Sequence, residues 1–375
     1  MAKVLLVQAT RINKVNPIIT PPLGLMYLAS ALKKHSNRHL IKIIDLRLEA
    51  DIEKVVTEFS PDMVGLSTMT QDAYFMHSVV KRIKEARKEA SIIVGGPHAT
   101  AYNEGVLRDL NIDYLVIGEG EQTICELVDR IENREGCADV KGIALRRNGD
   151  FILNAPREYI TNLDEIPFPS WEMVDIDRYT HNPSCNDLRI SKKRFMPIFT
   201  SRGCPYRCIY CHRLFAKQYN TRTPENVLIE IETLYHKYGV REIEIWDDIF
   251  NLDLDRAKKI ADLIRESKMN IKLSFPNGLR ADGIDKELLI KLKEAGAYHI
   301  AFAIETASRR LQRIIKKNLN LEKANQTILL ASKLGIFTRG FFMLGFPMET
   351  KGEILETINF ARKSKNSMVK YLMLI

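Results

Sequence analysis

The 375-residue sequence has no apolar run approaching the length of a membrane span. It starts Met1-Ala2-Lys3-Val4-Leu5-Leu6-Val7, which goes straight into a strand pattern and reads as a chain without a signal peptide. It has six cysteines, and three of them, Cys125, Cys137 and Cys185, are scattered without a pairing framework. That excludes a disulfide-built secreted scaffold and fits a reducing, cytoplasmic compartment. No G-x-G-x-x-G follows the first strand pattern, which argues against a nicotinamide dinucleotide. The net charge is +9, and the densest basic run is Arg189-Ile190-Ser191-Lys192-Lys193-Arg194. That run has no interleaved aromatics for base stacking, so nucleic acid is not the expected partner. What remains is an ordinary globular composition, 45% hydrophobic and 27% charged, with no low-complexity tract and enough length for two domains.

The other three cysteines fall within eight residues, in Gly203-Cys204-Pro205-Tyr206-Arg207-Cys208-Ile209-Tyr210-Cys211-His212. The apolar run Phe195-Met196-Pro197-Ile198-Phe199 leads in as a buried strand, and Gly203 and Pro205 mark a loop. Three thiolates on one loop can converge on one metal centre. A closed zinc site wants four ligands, whereas a cubane iron–sulfur cluster on three cysteines keeps one iron open for a small molecule. The alternative is a Cys3His zinc site with His212. Its position directly after Cys211 makes joint chelation of one ion awkward.

The fold class is α/β. Strand patterns at Lys3–Val7, Leu40–Leu46, Met63–Ser67, Ser91–Gly96 and Tyr114–Gly118 alternate with helical patterns, as in a doubly wound, Rossmann-like parallel sheet over residues 1–140. Ligands of such sheets sit at the strand carboxyl ends. Small and hydroxylated residues gather there: Ser67 and Thr68; Gly95, Gly96 and His98; Gly118, Glu119 and Gly120. Residues 141–194 read as a connector, with a hairpin around Asn148-Gly149-Asp150. Residues 195–375 alternate again. Strand patterns end at Asp247-Asp248, at Asn277-Gly278-Leu279-Arg280, at Glu305-Thr306 and at Gly345-Phe346-Pro347, and Val369–Leu374 is a sixth, as in a partial (β/α)6 TIM-type barrel. For Asp247 and Asp248 the other reading is a helix cap, and for Glu305 a structural ion pair.

A strand followed by C-x-x-x-C-x-aromatic-C resembles the radical S-adenosylmethionine (SAM) enzymes. The resemblance covers residues 195–375. It implies a 4Fe–4S cluster on Cys204, Cys208 and Cys211 whose open iron binds SAM. Tyr210 would lie near the adenine, Asp247 and Asp248 near the SAM amino group, and Arg280 and Glu305 in later SAM-facing motifs. Pro21-Pro22-Leu23-Gly24-Leu25, Val94-Gly95-Gly96-Pro97-His98-Ala99 and Gly118-Glu119-Gly120-Glu121 resemble the cobalamin-binding domain that precedes the cysteine loop in one branch of that family. The cobalamin pattern D-x-H-x-x-G is missing, because the second strand ends Asp45-Leu46-Arg47-Leu48-Glu49. The resemblance therefore implies base-off cobalamin with no assigned axial histidine; His98 is the one loop histidine weighed for that role. It further implies reductive cleavage of SAM, methylation of an unactivated carbon of a small-molecule substrate, and an electron donor such as flavodoxin or ferredoxin. A ring-forming reaction of the tetrapyrrole cyclase type is the alternative chemistry. A cofactor-binding fragment without turnover is a further alternative, since relatives continue past the position of Ile375. An RNA-modifying binder is disfavoured by the absence of an appended RNA-binding module.

Overall fold

Five short, apolar strands, each followed by a helix, build the first sheet because both of its faces are covered. They are β1 (Lys3–Gln8), β2 (Leu40–Asp45), β3 (Met63–Ser67), β4 (Ser91–Gly95) and β5 (Tyr114–Val116). The computed structural model describes residues 1–12, 19–49, 51–180, 194–212, 214–215 and 217–373. Cys185, the basic run at 189–193, Leu374 and Ile375 lie outside them. The chain divides into two compact units, Met1–Ser184 and Cys185–Ile375.

In the first unit β1 to β5 run parallel in the order β2-β1-β3-β4-β5. The order reverses between β1 and β3, so a crevice opens at their carboxyl ends. Leu25, Ala29 and Leu32 of the Leu23–His35 helix and Ile124, Leu127 and Val128 of the Glu121–Glu132 helix cover one face. Ile52, Val55 and Val56, with Met76, Val79, Val80 and Ile83, cover the other. The hairpin β6 (Ile143–Arg147) and β7 (Asp150–Leu153) extends the sheet with antiparallel pairing. Its turn has positive φ at Asn148 (54°) and Gly149 (92°), the mirror-image geometry that suits the twist of a hairpin.

The stretch read as a connector is thus largely part of the first unit. Beyond the hairpin, Ser30 donates to the Phe168 carbonyl at 2.6 Å, and the Tyr179 hydroxyl reaches Asp45 at 3.3 Å. Asp45 also takes the Arg47 guanidinium at 2.6 Å, and Arg47 continues to the Thr20 carbonyl at 2.7 Å. The residues after β2 are therefore a closed polar knot.

The second unit has six parallel strands in the order β15-β14-β13-β12-β11-β8. They are β8 (Phe195–Ile198), β11 (Glu242–Ile245), β12 (Lys272–Leu279), β13 (Ala297–Glu305), β14 (Phe337–Leu344) and β15 (Met368–Met373). A two-stranded ribbon, β9 (Ser201–Arg202) with β10 (Asn220–Thr221), closes the base of the cysteine loop. The Pro224–Tyr238 helix shows local sequence at work. Thr223 caps its start, Pro224 supplies the first-turn φ, and Gly239 stops it at φ 66°. One expectation needs correction. Asn277, Gly278 and Leu279 do not follow β12 but lie inside it, where the pairing with β13 jumps from Phe275 to Leu279. The bulge lengthens the strand and carries Arg280 to its end.

A buried pair fixes the base of the site. Arg222, 4% exposed, donates to the Phe199 carbonyl and to the carboxylate of Glu230, which is fully buried. Glu230→Ala strands the guanidinium and is expected to lower the unfolding free energy in urea by about 3–5 kcal/mol. Glu230→Gln, which keeps an acceptor, is expected to lose less.

Candidate active site

The cysteine loop is launched by one buried carboxylate. Asp247, 3% exposed, accepts from the Thr200 amide and the Ser201 hydroxyl, both at 2.6 Å, and from the Thr200 hydroxyl. Burial pushes this carboxyl above its ordinary range, while Arg256 and the three donors pull against it. Arg256 adds bonds to the Thr200 and Arg222 carbonyls. Asp247 thus holds the chain at the exit of β8, its oxygens occupied by the backbone it positions.

Gly203 then turns the chain at φ 81°. A Cβ there would stand 2.3 Å from the Gln218 carbonyl oxygen, so only glycine lets the two ends of the loop meet. The Gly203 amide donates to Asp248 at 3.1 Å, and the same carboxylate takes His212 Nε2 at 3.1 Å. Hydrogen bonding to Asp248 raises the His212 pKa. His212 Nε2 is therefore already engaged by a carboxylate, which weakens the Cys3His zinc alternative.

Cys204, Cys208 and Cys211 are all free, and a tight turn links the Cys211 amide to the Cys208 carbonyl at 3.3 Å. Around one tetrahedral zinc, bonds of about 2.3 Å would bring the sulfurs within about 4 Å of each other. Among the described residues the metal-type group with ligand atoms all within 4.8 Å is His39, Asp129 and Glu132, not the cysteines. The three thiols do not form so compact a group, and a donor set of sulfurs alone fits a multi-iron cluster.

On its far side the loop is pinned to the segment after β13. The Ile209 amide donates to the Ile315 carbonyl at 3.1 Å, and Cys208 Sγ points at the Lys316 carbonyl at 3.9 Å. Tyr210 packs against Leu311, Ile315, Met343 and Phe346 and donates its hydroxyl to Glu305 at 3.1 Å. Burial, and then the Glu305 charge, push the Tyr210 hydroxyl above its ordinary pKa. Glu305 ends β13 at φ 68° and also pairs with buried Lys317 at 2.9 Å. Arg280 donates to the Lys317 carbonyl at 2.9 Å, pairs with Asp282 at 2.9 Å and lies 4.2 Å over the Tyr206 ring. Of the seven described non-glycine residues with positive φ, three sit here: Glu305, Lys316 and Asn318. Backbone strain of this kind gathers where geometry is functional.

Tyr210, Asp248, Arg280 and Glu305 therefore converge on the cysteine loop, and Asp247 stands behind it. Sequence reasoning missed Lys317, Tyr206 and the Thr200–Ser201 donors. A lysine in a turn carries no pattern, but Tyr206 inside the cysteine motif was a legible signal.

In the first unit the expected loops lie together at the carboxyl edge of the sheet. Gly96, at φ 85°, would place a Cβ 2.8 Å from Ser67 Oγ, so the β4 turn is packed on the end of β3. The His98 amide bonds the Thr68 carbonyl at 3.3 Å, and its Nδ1 meets the Thr70 hydroxyl at 3.3 Å. Burial, then His77, lowers the His98 pKa. Thr68 donates to the Ala9 carbonyl at 3.0 Å, which ties β3 to β1. Gly95, the last residue of β4, faces Val116. Glu119 accepts from the Ile160 amide at 2.7 Å, and Gly120 packs on Leu28. Gly118, at φ 77°, has no atom within 4 Å of its Cβ position. This edge combines close backbone packing with open space beside a bare glycine, which fits a large flat ligand.

Gly203→Ala is expected to abolish iron uptake on anaerobic reconstitution, through the clash with Gln218, while far-ultraviolet circular dichroism stays near that of the parent. Full iron uptake by this variant would mean that the loop tolerates a different closure.

Two family models match the chain, a B12 binding domain at residues 14–128 and the radical SAM superfamily at 198–361. An uncharacterized methyltransferase of Pyrococcus horikoshii is 34% identical over 359 residues, covering 94% of this chain and 75% of that protein. The cytidylyl-2-hydroxyethylphosphonate methyltransferase of Streptomyces wedmorensis is 30% identical, over 92% of this chain and 73% of that one. Among solved structures, the radical S-adenosylmethionine methyltransferase TsrM of Kitasatospora setae superposes with a TM-score of 0.82 at 20% identity, covering 99% of this chain and 73% of that one, and so shows the fold. The order of the two matched models and the identity over nine-tenths of the sequence place this chain among the cobalamin-dependent radical SAM methyltransferases.

Proposed function

We propose that this enzyme methylates an unactivated carbon of a small-molecule substrate in a reducing, cytoplasmic compartment, with a one-electron carrier as reductant. The observation that carries the reading is the loop of three free thiols within eight residues, fastened to Glu305 through Tyr210. Cys204, Cys208 and Cys211 are assigned to the cluster. When bound, the cluster and SAM supply one-electron reductive cleavage, and cobalamin supplies a methyl carrier. Every other role belongs to side chains of this protein. Asp248, whose side chain is one-fifth exposed, is assigned to the SAM amino group in preference to enclosed Asp247. Asp247 becomes a positioning residue. Tyr210 walls the site beside the cysteines. Glu305 is aimed by Lys317 and Tyr210, and Arg280 holds the Lys317 turn in place. Ser67, Thr68, Gly95, Gly96, Gly118, Glu119 and Gly120 are assigned to the cobalamin edge. His98, occupied by Thr70, is assigned to packing of that edge and not to cobalt.

Reconstituted protein is expected to hold about four irons per chain and, with a reductant, to turn SAM into 5′-deoxyadenosine or S-adenosylhomocysteine. Stoichiometric zinc without iron in protein purified anaerobically overturns the assignment. Glu305→Ala is expected to leave the iron content intact and weaken SAM binding roughly tenfold or more, the loss of one charged hydrogen-bond partner. Unchanged SAM affinity by calorimetry removes Glu305 from the site.

Cobalamin has its own test. Gly118→Leu fills the open edge and is expected to abolish cobalamin binding in equilibrium dialysis of the full chain. His98→Ala is expected to leave the cobalamin spectrum as it was. Loss of the axial signature in that variant would make His98 a ligand.

A further inference from the structure

The outer edge of the cysteine loop is an apolar spot inside a positive rim. Cys208 is half-buried and Cys211 exposed, and between them Ile209 leaves 52% of its surface in water. The contacts of Ile209 with Ile315 and of Cys208 with Lys316 bring the Arg309–Ile314 helix and the turn after it to this edge. Arg309, Arg313 and Lys316 are exposed there, and Arg207 is exposed on the loop itself.

None of the four has a carboxylate within the 4.0 Å of an ion pair among the described residues. Glu322, the acid in the adjoining cleft lined by Arg309, Arg313 and Asn318, reaches neither arginine at that distance. Nearby cations are different. Arg310 pairs with Glu353 at 2.7 Å, Arg280 with Asp282 at 2.9 Å and Lys317 with Glu305 at 2.9 Å. Arg207 and Lys316 thus stand uncompensated beside the cysteine loop, with Arg309 and Arg313 on the helix that leads to it.

Resting on the functional reading above, we propose that this rim is the docking surface for an acidic one-electron carrier protein. The carrier gives up one electron and the cluster accepts it, with no bond made or broken in the protein. Encounters of this kind bury little area, are weak, and depend on complementary charge for their rate. Ile209 supplies the small apolar contact at the centre, and the four cations orient an acidic face over the thiols. The four cations and Ile209 are exposed, whereas Glu305 is buried and Tyr210 part-buried, so the carrier and SAM draw on different side chains.

The test uses the reconstituted full chain with Arg207, Arg313 and Lys316 all changed to Glu. Bleaching of the visible absorption of the cluster is followed with two reductants, reduced flavodoxin and reduced methyl viologen, a small cation. The flavodoxin rate of the parent is expected to fall as salt is added. In the variant it is expected to be about tenfold slower or more at low salt, with little salt dependence. The methyl viologen rate is expected to stay at or above that of the parent, and Lys268→Glu, at an exposed position on another helix end, to behave as the parent. An unchanged flavodoxin rate overturns the docking surface while leaving the enzyme reading intact. Equal slowing with both reductants also overturns it, because the loop itself would then be disturbed. A parent protein that takes up no iron overturns the reading underneath and this inference with it.

Discussion

The active end of the second unit depends on a carboxylate enclosed by the chain it positions. Asp247 gathers the amide and hydroxyl of Thr200 and the hydroxyl of Ser201, and so decides where β8 stops and in which direction the chain leaves. A buried carboxylate is expensive unless its lone pairs are filled, and here backbone and hydroxyl donors fill them. The next residue, Asp248, catches Gly203 one step further along. Two adjacent acids thus divide the work, one fixing the strand exit and the other the turn into the cysteines. Arg256 and the Arg222–Glu230 pair hold the same strand end from behind.

The loop that results is anchored at both ends but by different means. Its base is closed by the β9–β10 ribbon and by the approach of Gly203 to Gln218. Its tip is fastened to the backbone of Ile315 and Lys316 and to Glu305 through Tyr210. Three cysteines on an eight-residue stretch could otherwise adopt many spacings. Binding a cluster does not have to supply all of the ordering, because packing of Tyr210 on Leu311, Met343 and Phe346 already restricts the loop.

The local chemistry was legible in the sequence, and the division of labour was not. The cysteine spacing, the alternation of strands and helices and the Asn148-Gly149 turn are all read within a few residues, and each appears where the pattern puts it. Position at a strand end marked Asp247 and Asp248 alike, yet only the fold reveals that one is enclosed and the other partly exposed. Lys317 was invisible because its meaning comes from Glu305, twelve residues away and across a turn. The bulge in β12 escaped notice because Pro276, Asn277 and Gly278 carry the composition of a loop end while the strand continues through them. The knot of Asp45, Arg47, Thr20 and Tyr179 likewise joins residues that are distant in sequence, which no periodicity encodes.

The left-handed backbone at Glu305, Lys316 and Asn318 has a consequence for anyone who tries to make this enzyme sturdier. A glycine at any of the three would relieve a conformation that side-chain-bearing residues adopt only at a cost. A heat-challenge library scored on folding alone would therefore enrich glycine at these positions. The gain at 305 would remove the carboxylate that Tyr210 and Lys317 orient, and the gain at 316 would remove a cation from the rim of the cysteine loop. Robustness and activity pull in opposite directions within one short stretch of chain, so selection for one must be coupled to a screen for the other.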